Sequence, residues 1–180
     1  MTDFRNHHDV KLNPDSIIAV GCSCTYGTGV EAHEAWPAQL EVITGLPVYN
    51  FGVPGGSLDS CFRVLNTFLP TIQAKTIVMN KPSINRRELV NSHIKDIYIQ
   101  IGHWSDNYLD LLDEHEIKLN ESRQTYAMMG IANAYKSRLL TVDVGNTDYP
   151  IIKDTGTDGL HPGPQWHKEM ASHLKQRISL

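Results

Sequence analysis

A serine, a histidine and an aspartate in this sequence have the types and positions that nucleophilic catalysis needs. Ser23 directly follows a short apolar run, and Asp158 precedes His161 by three residues. A serine hydroxyl becomes a strong nucleophile only when a base removes its proton, and an acidic partner must hold that base in the correct tautomer. An imidazole suits the role of base near neutral pH. We therefore interpret Ser23, His161 and Asp158 as a candidate nucleophile, base and orienting acid.

Glycine and proline residues beside these three favour the tight turns that such a site requires. Gly21 and Gly27 lie on either side of Ser23 and permit a turn that exposes its hydroxyl. Gly159 separates the acid from the base, and Pro162 stiffens the chain after them. Each feature alone is common, because a serine after a strand is usually a turn or cap residue and an Asp-x-x-His pair usually lies in a solvated loop. Their significance therefore depends on the elements that position them.

Those elements alternate between short apolar runs and amphipathic segments. Strands are predicted at 16–20, 48–51, 76–79 and 139–143, and helices at 34–43, 58–69 and 121–138, with a last helix through 170 and 174. Residues 80–87 are interpreted as a loop and 89–120 as a polar stretch with helical pieces. Strands that alternate with helices predict βαβ units, and hence an α/β fold with a parallel sheet covered on both faces.

The candidate residues fall at one edge of this predicted sheet. Ser23 follows the first strand, a glycine-rich loop at 52–56 follows the second, Asn80 follows the third, and Asp158 with His161 follows the fourth. Loops that leave the carboxyl ends of parallel strands form the ligand sites of such folds. This shared placement is stronger evidence for a site than any one of the residues.

Composition and charge disfavour several other classes of protein. The 180 residues, 41% hydrophobic and 20% charged, predict one globular domain over 1–180 with a polar leader at about 1–14. A net charge of −4 provides no basic field for nucleic acid. The absence of a membrane-spanning run and of a signal-peptide core predicts a cytoplasmic protein without membrane insertion. The sequence gives no indication of the oligomeric state.

Cys22, Cys24 and Cys61 form no even framework of disulfides and fit a reducing compartment. The pair at 22 and 24 lacks a second pair at metal-ligand spacing, so we predict no metal site and no cofactor. We interpret Cys22 and Cys24 as small buried packing residues, with a thiol nucleophile as the alternative.

Three blocks of the sequence resemble those of the SGNH or GDSL-like hydrolases and lie in the order of that family. Residues 20–27, Val-Gly-Cys-Ser-Cys-Thr-Tyr-Gly, resemble the first block. Residues 49–57, Tyr-Asn-Phe-Gly-Val-Pro-Gly-Gly-Ser, resemble the second, and residues 158–163, Asp-Gly-Leu-His-Pro-Gly, resemble the last. The resemblance implies a three-layer α/β/α sandwich with a parallel, flavodoxin-like sheet. It implies cleavage of small acyl esters, O-acetyl groups on carbohydrates among them, through an acyl-enzyme on Ser23.

The resemblance also implies an oxyanion hole formed by the backbone N–H groups of Ser23 and Gly55 and a side-chain amide from a third block. That block normally reads Gly-x-Asn-Asp, whereas residues 79–82 here are Met-Asn-Lys-Pro. Asn80 is the candidate amide donor, and a simple turn asparagine is the alternative. The first block departs as well, since Cys22 stands where the family often has aspartate.

Two alternatives remain open at this stage. A hydrolase-like fold that binds a carbohydrate or a protein partner without turnover would explain the altered third block, but it has no need of the complete set Ser23, Asp158, His161 and Gly55. Arg86 and Arg87 either meet an anionic substrate group or belong to a solvated loop. An ordinary α/β-hydrolase is disfavoured, because its Gly-x-Ser-x-Gly elbow lies well inside the chain.

Overall fold

The computed structural model describes residues 4–91, 97–105, 113–143 and 154–178. The elements in chain order are β1 (Ile17–Gly21), α1 (Ser23–Tyr26), α2 (Trp36–Thr44), β2 (Val48–Gly52), α3 (Leu58–Ile72), β3 (Thr76–Lys81), β4 (Arg87–Asn91), β5 (Ile97–Ile101), α4 (Glu114–Ala134), β6 (Arg138–Asp143) and α5 (Pro164–Ile178). No helix in these residues is long and apolar enough to cross a membrane.

Four of the strands form a parallel sheet in the order β2-β1-β3-β6. Ala19 in β1 pairs with Asn50 on one side and with Val78 on the other. Every residue of β1 is buried, which explains why this strand is an uninterrupted apolar run. The predicted parallel, flavodoxin-like sheet is confirmed.

Different helices cover the two faces of the sheet, because alternate residues of each strand point to opposite sides. Ile18 and Val20 pack against α3 and α4 on one face. Ile17 and Ala19 pack against α2 and α5 on the other. The predicted three-layer α/β/α sandwich is therefore confirmed.

The segment between β3 and α4 corrects the prediction of helical pieces at 89–120. Strands β4 and β5 pair antiparallel there, with Leu89 opposite Ile99, and form a two-stranded sheet separate from the main one. The physical reason is visible in residues 97–101, Ile-Tyr-Ile-Gln-Ile, whose β-branched residues alternate with period two, as strands do. A helix would have placed Ile99 on the face opposite Ile97 and Ile101.

Helix α4 begins seven residues earlier than predicted, at 114 instead of 121, and ends at 134 instead of 138. Asp113 caps its start, since its Oδ1 accepts a hydrogen bond of 2.7 Å from the N–H of Glu116. The first two turns are polar, so apolar periodicity did not indicate them. Lys136 has a φ of 55°, which ends the helical path and leads the chain into β6.

The described part of the polar leader packs against the body of the domain. The ring of Phe4 lies 5.2 Å from that of Phe51. Arg5 Nη1 donates hydrogen bonds of 2.7 and 2.8 Å to the carbonyl oxygens of Gly27 and Val30. The leader thereby holds the turn that follows β1.

Candidate active site

The predicted acid and base are in direct contact. His161 Nδ1 lies 2.6 Å from Asp158 Oδ2, and Asp158 Oδ1 accepts the backbone N–H groups of Leu160 and His161 at 3.0 Å each. The backbone hydrogen bond from His161, with those from Leu160 and the imidazole, lowers the pKa of Asp158 to about 2. Asp158 is thus a carboxylate at neutral pH, and it favours the tautomer that leaves His161 Nε2 able to accept a proton.

The loop that carries this pair is closed on itself and attached to α5. The Gly156 N–H donates to the His161 carbonyl at 2.8 Å, and Thr155 pairs with Pro162. Asp154 accepts the N–H groups of Gln165 and Trp166, at 2.7 and 2.9 Å, and so caps the first turn of α5. Sequence analysis did not identify Asp154 as the cap of α5, because Asp154 lies eleven residues before Gln165, whose N–H it accepts.

Ser23 opens α1 immediately after β1, as the sequence predicts for a residue at the sheet edge. Its carbonyl accepts the N–H of Gly27 at 2.8 Å, which closes the turn. A Cβ on Gly21 would lie 2.7 Å from the Asn80 carbonyl oxygen, so a side chain there would push β3 away from this turn. Ser23 is buried, with 8% of its surface exposed.

Two loops distant along the chain meet beside Ser23. The Thr157 N–H donates a hydrogen bond of 2.8 Å to the Gly29 carbonyl. A Cβ on Gly29 would lie 2.9 Å from Asp158 Oδ1, so the turn after α1 touches the carboxylate itself. Among the described residues the Ser23 hydroxyl forms no hydrogen bond to His161. Nucleophile–base hydrogen bonds often tighten only when substrate binds.

The second loop places a free backbone donor next to this turn. Gly55 has a φ of 70°, a conformation that favours glycine, and the Gly56 N–H closes the loop on the Val53 carbonyl at 2.8 Å. The Val53 N–H bonds the Gly21 carbonyl at 3.0 Å, which ties this loop to β1. The Gly55 N–H has no acceptor in the described part of the chain, so it is available to an oxyanion.

Asn80 ends the buried part of β3, and its side chain is fully buried. Neither its Nδ2 nor its Oδ1 has a hydrogen-bond partner in the parts of the chain that are described. Leaving a buried amide unsatisfied costs about 1–3 kcal/mol, so such a group usually has a function. The lack of a partner fits an amide that donates a hydrogen bond to a substrate. The complete burial of the side chain does not, because a substrate must be able to reach the donor.

The two cysteines beside Ser23 have free thiols. Cys22 is buried, as predicted, and Cys24 is partly buried. The hydrogen bond from Cys24 lowers the pKa of the Cys22 thiol, whereas the same contact and burial raise the pKa of Cys24. Within the described ranges no cluster of three or more His, Cys, Asp or Glu residues could hold a metal ion.

A cavity of about 400 Å³ adjoins the turn that carries Ser23. Cys22, Cys24, Ile84 and Arg86 are among the residues that line it. Trp104, which is 46% exposed, stands over the neighbouring loop, since a Cβ on Gly55 would be 3.5 Å from its ring. Sequence analysis could not connect these side chains, because residues 80–87 carry no periodic signal and β4 and β5 were not predicted.

Comparison with known proteins shows what this arrangement is similar to. No protein-family model matches the chain, and no curated protein matches its sequence. Solved structures do match its fold. One, described as a lipolytic protein of the G-D-S-L family from Desulfitobacterium hafniense DCB-2, has a TM-score of 0.62 at 11% identity and covers 90% of this chain and 98% of that one.

Two further structures have names that mention esterases. The psychrotrophic esterase EstA from Pseudoalteromonas sp., in a structure inhibited by monoethylphosphonate, has a TM-score of 0.58 at 11% identity and covers 92% of this chain and 100% of that one. A family 3 carbohydrate esterase from Clostridium thermocellum has a TM-score of 0.50 at 17% identity and covers 89% of this chain and 93% of that one. The protein has the α/β fold that these GDSL or SGNH-like structures share.

Proposed function

We propose that the protein is a serine esterase that hydrolyses small acyl esters through an acyl-enzyme on Ser23. The observation that carries the proposal is the 2.6 Å contact between His161 and Asp158, on a loop that touches the turn bearing Ser23. The esterases that share the fold support hydrolysis of ester bonds in general.

The proposed reaction has two halves. In the first, Ser23 Oγ attacks the ester carbonyl while His161 Nε2 accepts the hydroxyl proton, and His161 then gives this proton to the departing alcohol. In the second, His161 takes a proton from water, the resulting hydroxide attacks the acyl group, and the acid leaves as Ser23 regains its proton. Asp158 remains a carboxylate throughout and stabilises the imidazolium that forms twice.

Negative charge that develops on the carbonyl oxygen requires fixed donors. The N–H groups of Ser23 and Gly55 supply two, because the first amides of a helix have no intrahelical acceptor and the Gly55 amide is unengaged. We propose the Asn80 amide as the third. Removing one such donor typically raises a barrier by about 2.7–4 kcal/mol.

For the substrate we propose short acyl esters, including O-acetyl groups on carbohydrates. The similarity of the fold to a carbohydrate esterase supports this choice. A weak or inactive module that binds carbohydrate or a protein partner is the second candidate. Two observations favour it: the Ser23 hydroxyl lacks a hydrogen bond to His161, and the Asn80 side chain is fully buried.

Covalent labelling tests the nucleophile. A fluorophosphonate probe should label the wild-type protein and the Ser83→Ala variant, whose altered serine is exposed and lines the cavity beside the Ser23 turn, but not Ser23→Ala. Turnover of p-nitrophenyl acetate should follow the same pattern. Labelling that survives in Ser23→Ala but disappears in Cys22→Ala would assign the nucleophile to the thiol, and wild-type turnover at the Ser23→Ala level would favour the binding module.

A further inference from the structure

We propose that Arg86 binds a negatively charged group of the substrate, a carboxylate in its simplest form, and thereby selects anionic esters. The inference rests on the proposed esterase function for the reaction itself. It concerns the side of the site that neither the nucleophile nor the acid–base pair occupies.

Arg86 lies near the turn that carries Ser23 and near the loop that carries Gly55, the two segments between which we propose that the ester reacts. It lines the cavity of about 400 Å³ together with Cys22 and Cys24, the two neighbours of Ser23. Its Nη1 is 3.5 Å from the Gly56 carbonyl, next to the proposed oxyanion donor. We therefore expect a substrate whose carbonyl reaches Ser23 to place its adjoining atoms in this cavity, where the guanidinium lies.

Within the described residues no carboxylate pairs with Arg86, although Asp143 lines the same cavity. No ion pair to Arg86 occurs in the described part of the protein, and its buried Nε has no hydrogen-bond partner there. The contact to Gly56 is at the long limit of a hydrogen bond. Buried donors of a charged group that lack acceptors are costly, so this arrangement favours an anion supplied from outside the chain.

Three other arginines of the described residues bind acceptors of the chain itself. Arg63 binds both carboxylate oxygens of Glu88, at 2.6 and 2.9 Å. Arg5 donates to two carbonyls beside the Ser23 turn, and Arg87 donates to three carbonyls. The structure thus satisfies arginines where their role is to hold elements together.

The second cation of the cavity differs in this respect. Lys81 lies 2.5 Å from Glu121 and 3.6 Å from Asp143. Burial opposes its positive charge, but the hydrogen bond and charge of Glu121, with those of Asp143, outweigh that effect and raise the pKa of Lys81. The positive charge of Lys81 is therefore balanced by carboxylates of the protein. The charge of Arg86 has no such partner in the described residues, so Arg86 is the better candidate to bind an anion.

Trp104 holds the guanidinium in place. The Arg86 guanidinium carbon stands 5.2 Å from the centre of the Trp104 ring, a cation–π contact. A guanidinium can bind a planar carboxylate with two parallel hydrogen bonds. The pKa of the Cys22 thiol is lowered chiefly by the hydrogen bond from Cys24 and further by the positive charge of Arg86.

Matched esters test the proposal. For the alcohol side, kcat/KM is measured with 4-acetoxybenzoate and its neutral analogue 4-acetoxybenzamide. For the acyl side, the pair is mono-p-nitrophenyl adipate and p-nitrophenyl hexanoate. The value of kcat/KM for 4-acetoxyphenyl phosphate, compared with that for 4-acetoxybenzoate, shows whether a phosphate or a carboxylate is the preferred anion.

The wild-type protein should prefer the charged member of at least one pair by about 10- to 100-fold, the range of a charge-assisted hydrogen bond. Arg86→Gln should bring that ratio close to one, and Arg86→Lys should retain part of it. Arg123→Gln is the matched control, because Arg123 is an exposed cation paired with Glu116 and should leave the ratio unaltered.

The result that overturns the inference is equal preference in the wild type, or a preference that Arg86→Gln retains. Absence of any Ser23-dependent turnover would instead contradict the esterase function. In that case calorimetric binding of 4-acetoxybenzoate and 4-acetoxybenzamide to Ser23→Ala protein tests Arg86 separately. Equal affinities for the two would reject its role, and a preference for the anion that Arg86→Gln abolishes would support it.

Discussion

The Asp158 carboxylate organises the acid–base pair through a four-residue turn. It accepts three hydrogen bonds, two from backbone N–H groups and one from the imidazole, so its preference for the ionised form arises within the loop itself. Gly159 makes this turn possible, since its φ of 71° lies in the region that glycine adopts without strain. The orientation of His161 therefore depends on few other parts of the fold.

Asn80 presents the opposite situation, because no hydrogen bond within the described residues fixes its side chain. A buried amide with both polar atoms unsatisfied should destabilise the free protein by about 1–3 kcal/mol. Such a cost is reasonable where substrate supplies the missing partner. A structural asparagine would instead have been expected to hold its neighbours through hydrogen bonds.

If Asn80 is an oxyanion donor, Asn80→Ala should reduce kcat by about 100-fold or more, since one donor is worth about 2.7–4 kcal/mol. The free energy of unfolding should fall little or rise, because an unsatisfied polar group is removed. Ester turnover and urea unfolding measure the two effects. Asn85→Ala, an exposed asparagine in the loop after β3, is the control. An unchanged kcat in Asn80→Ala would leave the oxyanion with the two backbone donors.

At the level of elements, the central strands could be predicted because burial on both faces produces continuous apolar runs. The predicted runs at 48–51 and 76–79 lie inside β2 and β3 as observed. The contact of Asp158 with His161 could likewise be anticipated, because it joins residues three apart. Strand β5 has a period-two pattern that could have indicated it, but the position of β4 and β5 could not be predicted, since it depends on side chains of α3 that lie distant in the sequence.

The contact between α2 and α5 contains a buried histidine that sequence analysis did not assign to the core. His167 Nδ1 accepts the backbone N–H of Trp36 at 3.1 Å, so this nitrogen must be unprotonated. Burial is the main cause that lowers the pKa of His167 to about 4, against the opposing charges of Asp154 and Glu34. Protonation would both charge a buried ring and remove the acceptor from the first turn of α2.

The lowered pKa of His167 predicts a loss of stability in mild acid. Below about pH 6.5 the unfolded chain takes up a proton at this residue that the folded protein refuses down to about pH 4. The free energy of unfolding should therefore fall as the pH decreases through this window, by about 3 kcal/mol at most from this residue. Urea unfolding at several pH values measures the slope.

A matched pair of variants isolates His167 from the carboxylates that also titrate in acid. His167→Asn retains an acceptor near the position of Nδ1 but does not titrate, so its stability should depend less on pH between 6.5 and 4, even if it is lower throughout. His115→Asn alters an exposed histidine of α4 and should keep the wild-type slope. Equal slopes in all three proteins would show that His167 is protonated equally in the folded and unfolded states.

At the scale of the whole molecule, the two sides of the candidate site have different structural origins. The turn of Ser23 and the loop of Gly55 extend directly from the central sheet. Arg86 and Trp104, by contrast, lie at one end of the sheet formed by β4 and β5, where Arg87 pairs with Ile101. The sequence motifs predicted the first side because its geometry is local to each strand end. Arg86 and Trp104 could be placed at the site only by knowing which contacts hold the sheet of β4 and β5 to the rest of the domain.

A buried ion pair provides that attachment. Glu88 is 3% exposed and binds Arg63 of α3 through two hydrogen bonds, while Gln100 of β5 donates to it at 2.5 Å. Arg63 also stacks over the Tyr98 ring at 3.8 Å. A two-stranded sheet is marginal alone, so its position should depend strongly on this contact with α3.

Glu88→Gln should therefore loosen β4 and β5 more than it affects the central sheet. The substitution keeps the shape but leaves the Arg63 charge without its partner, and breaking a buried pair in this way costs about 3–5 kcal/mol. Because this energy is localised, amide hydrogen exchange should accelerate in 87–91 and 97–101 and change little in β1 and β3. The preference for anionic esters should decline with it, since Arg86 and Trp104 lose their fixed positions, while Ser23-dependent cleavage of neutral esters persists.

Glu114→Gln is the control: it removes the same charge from an exposed pair with Lys118 and should lower the free energy of unfolding by less than about 1 kcal/mol. Exchange that rises equally across β1, β3 and β4 would mean that the small sheet unfolds only together with the domain, and its attachment through Glu88 would then be a determinant of global stability instead of local order.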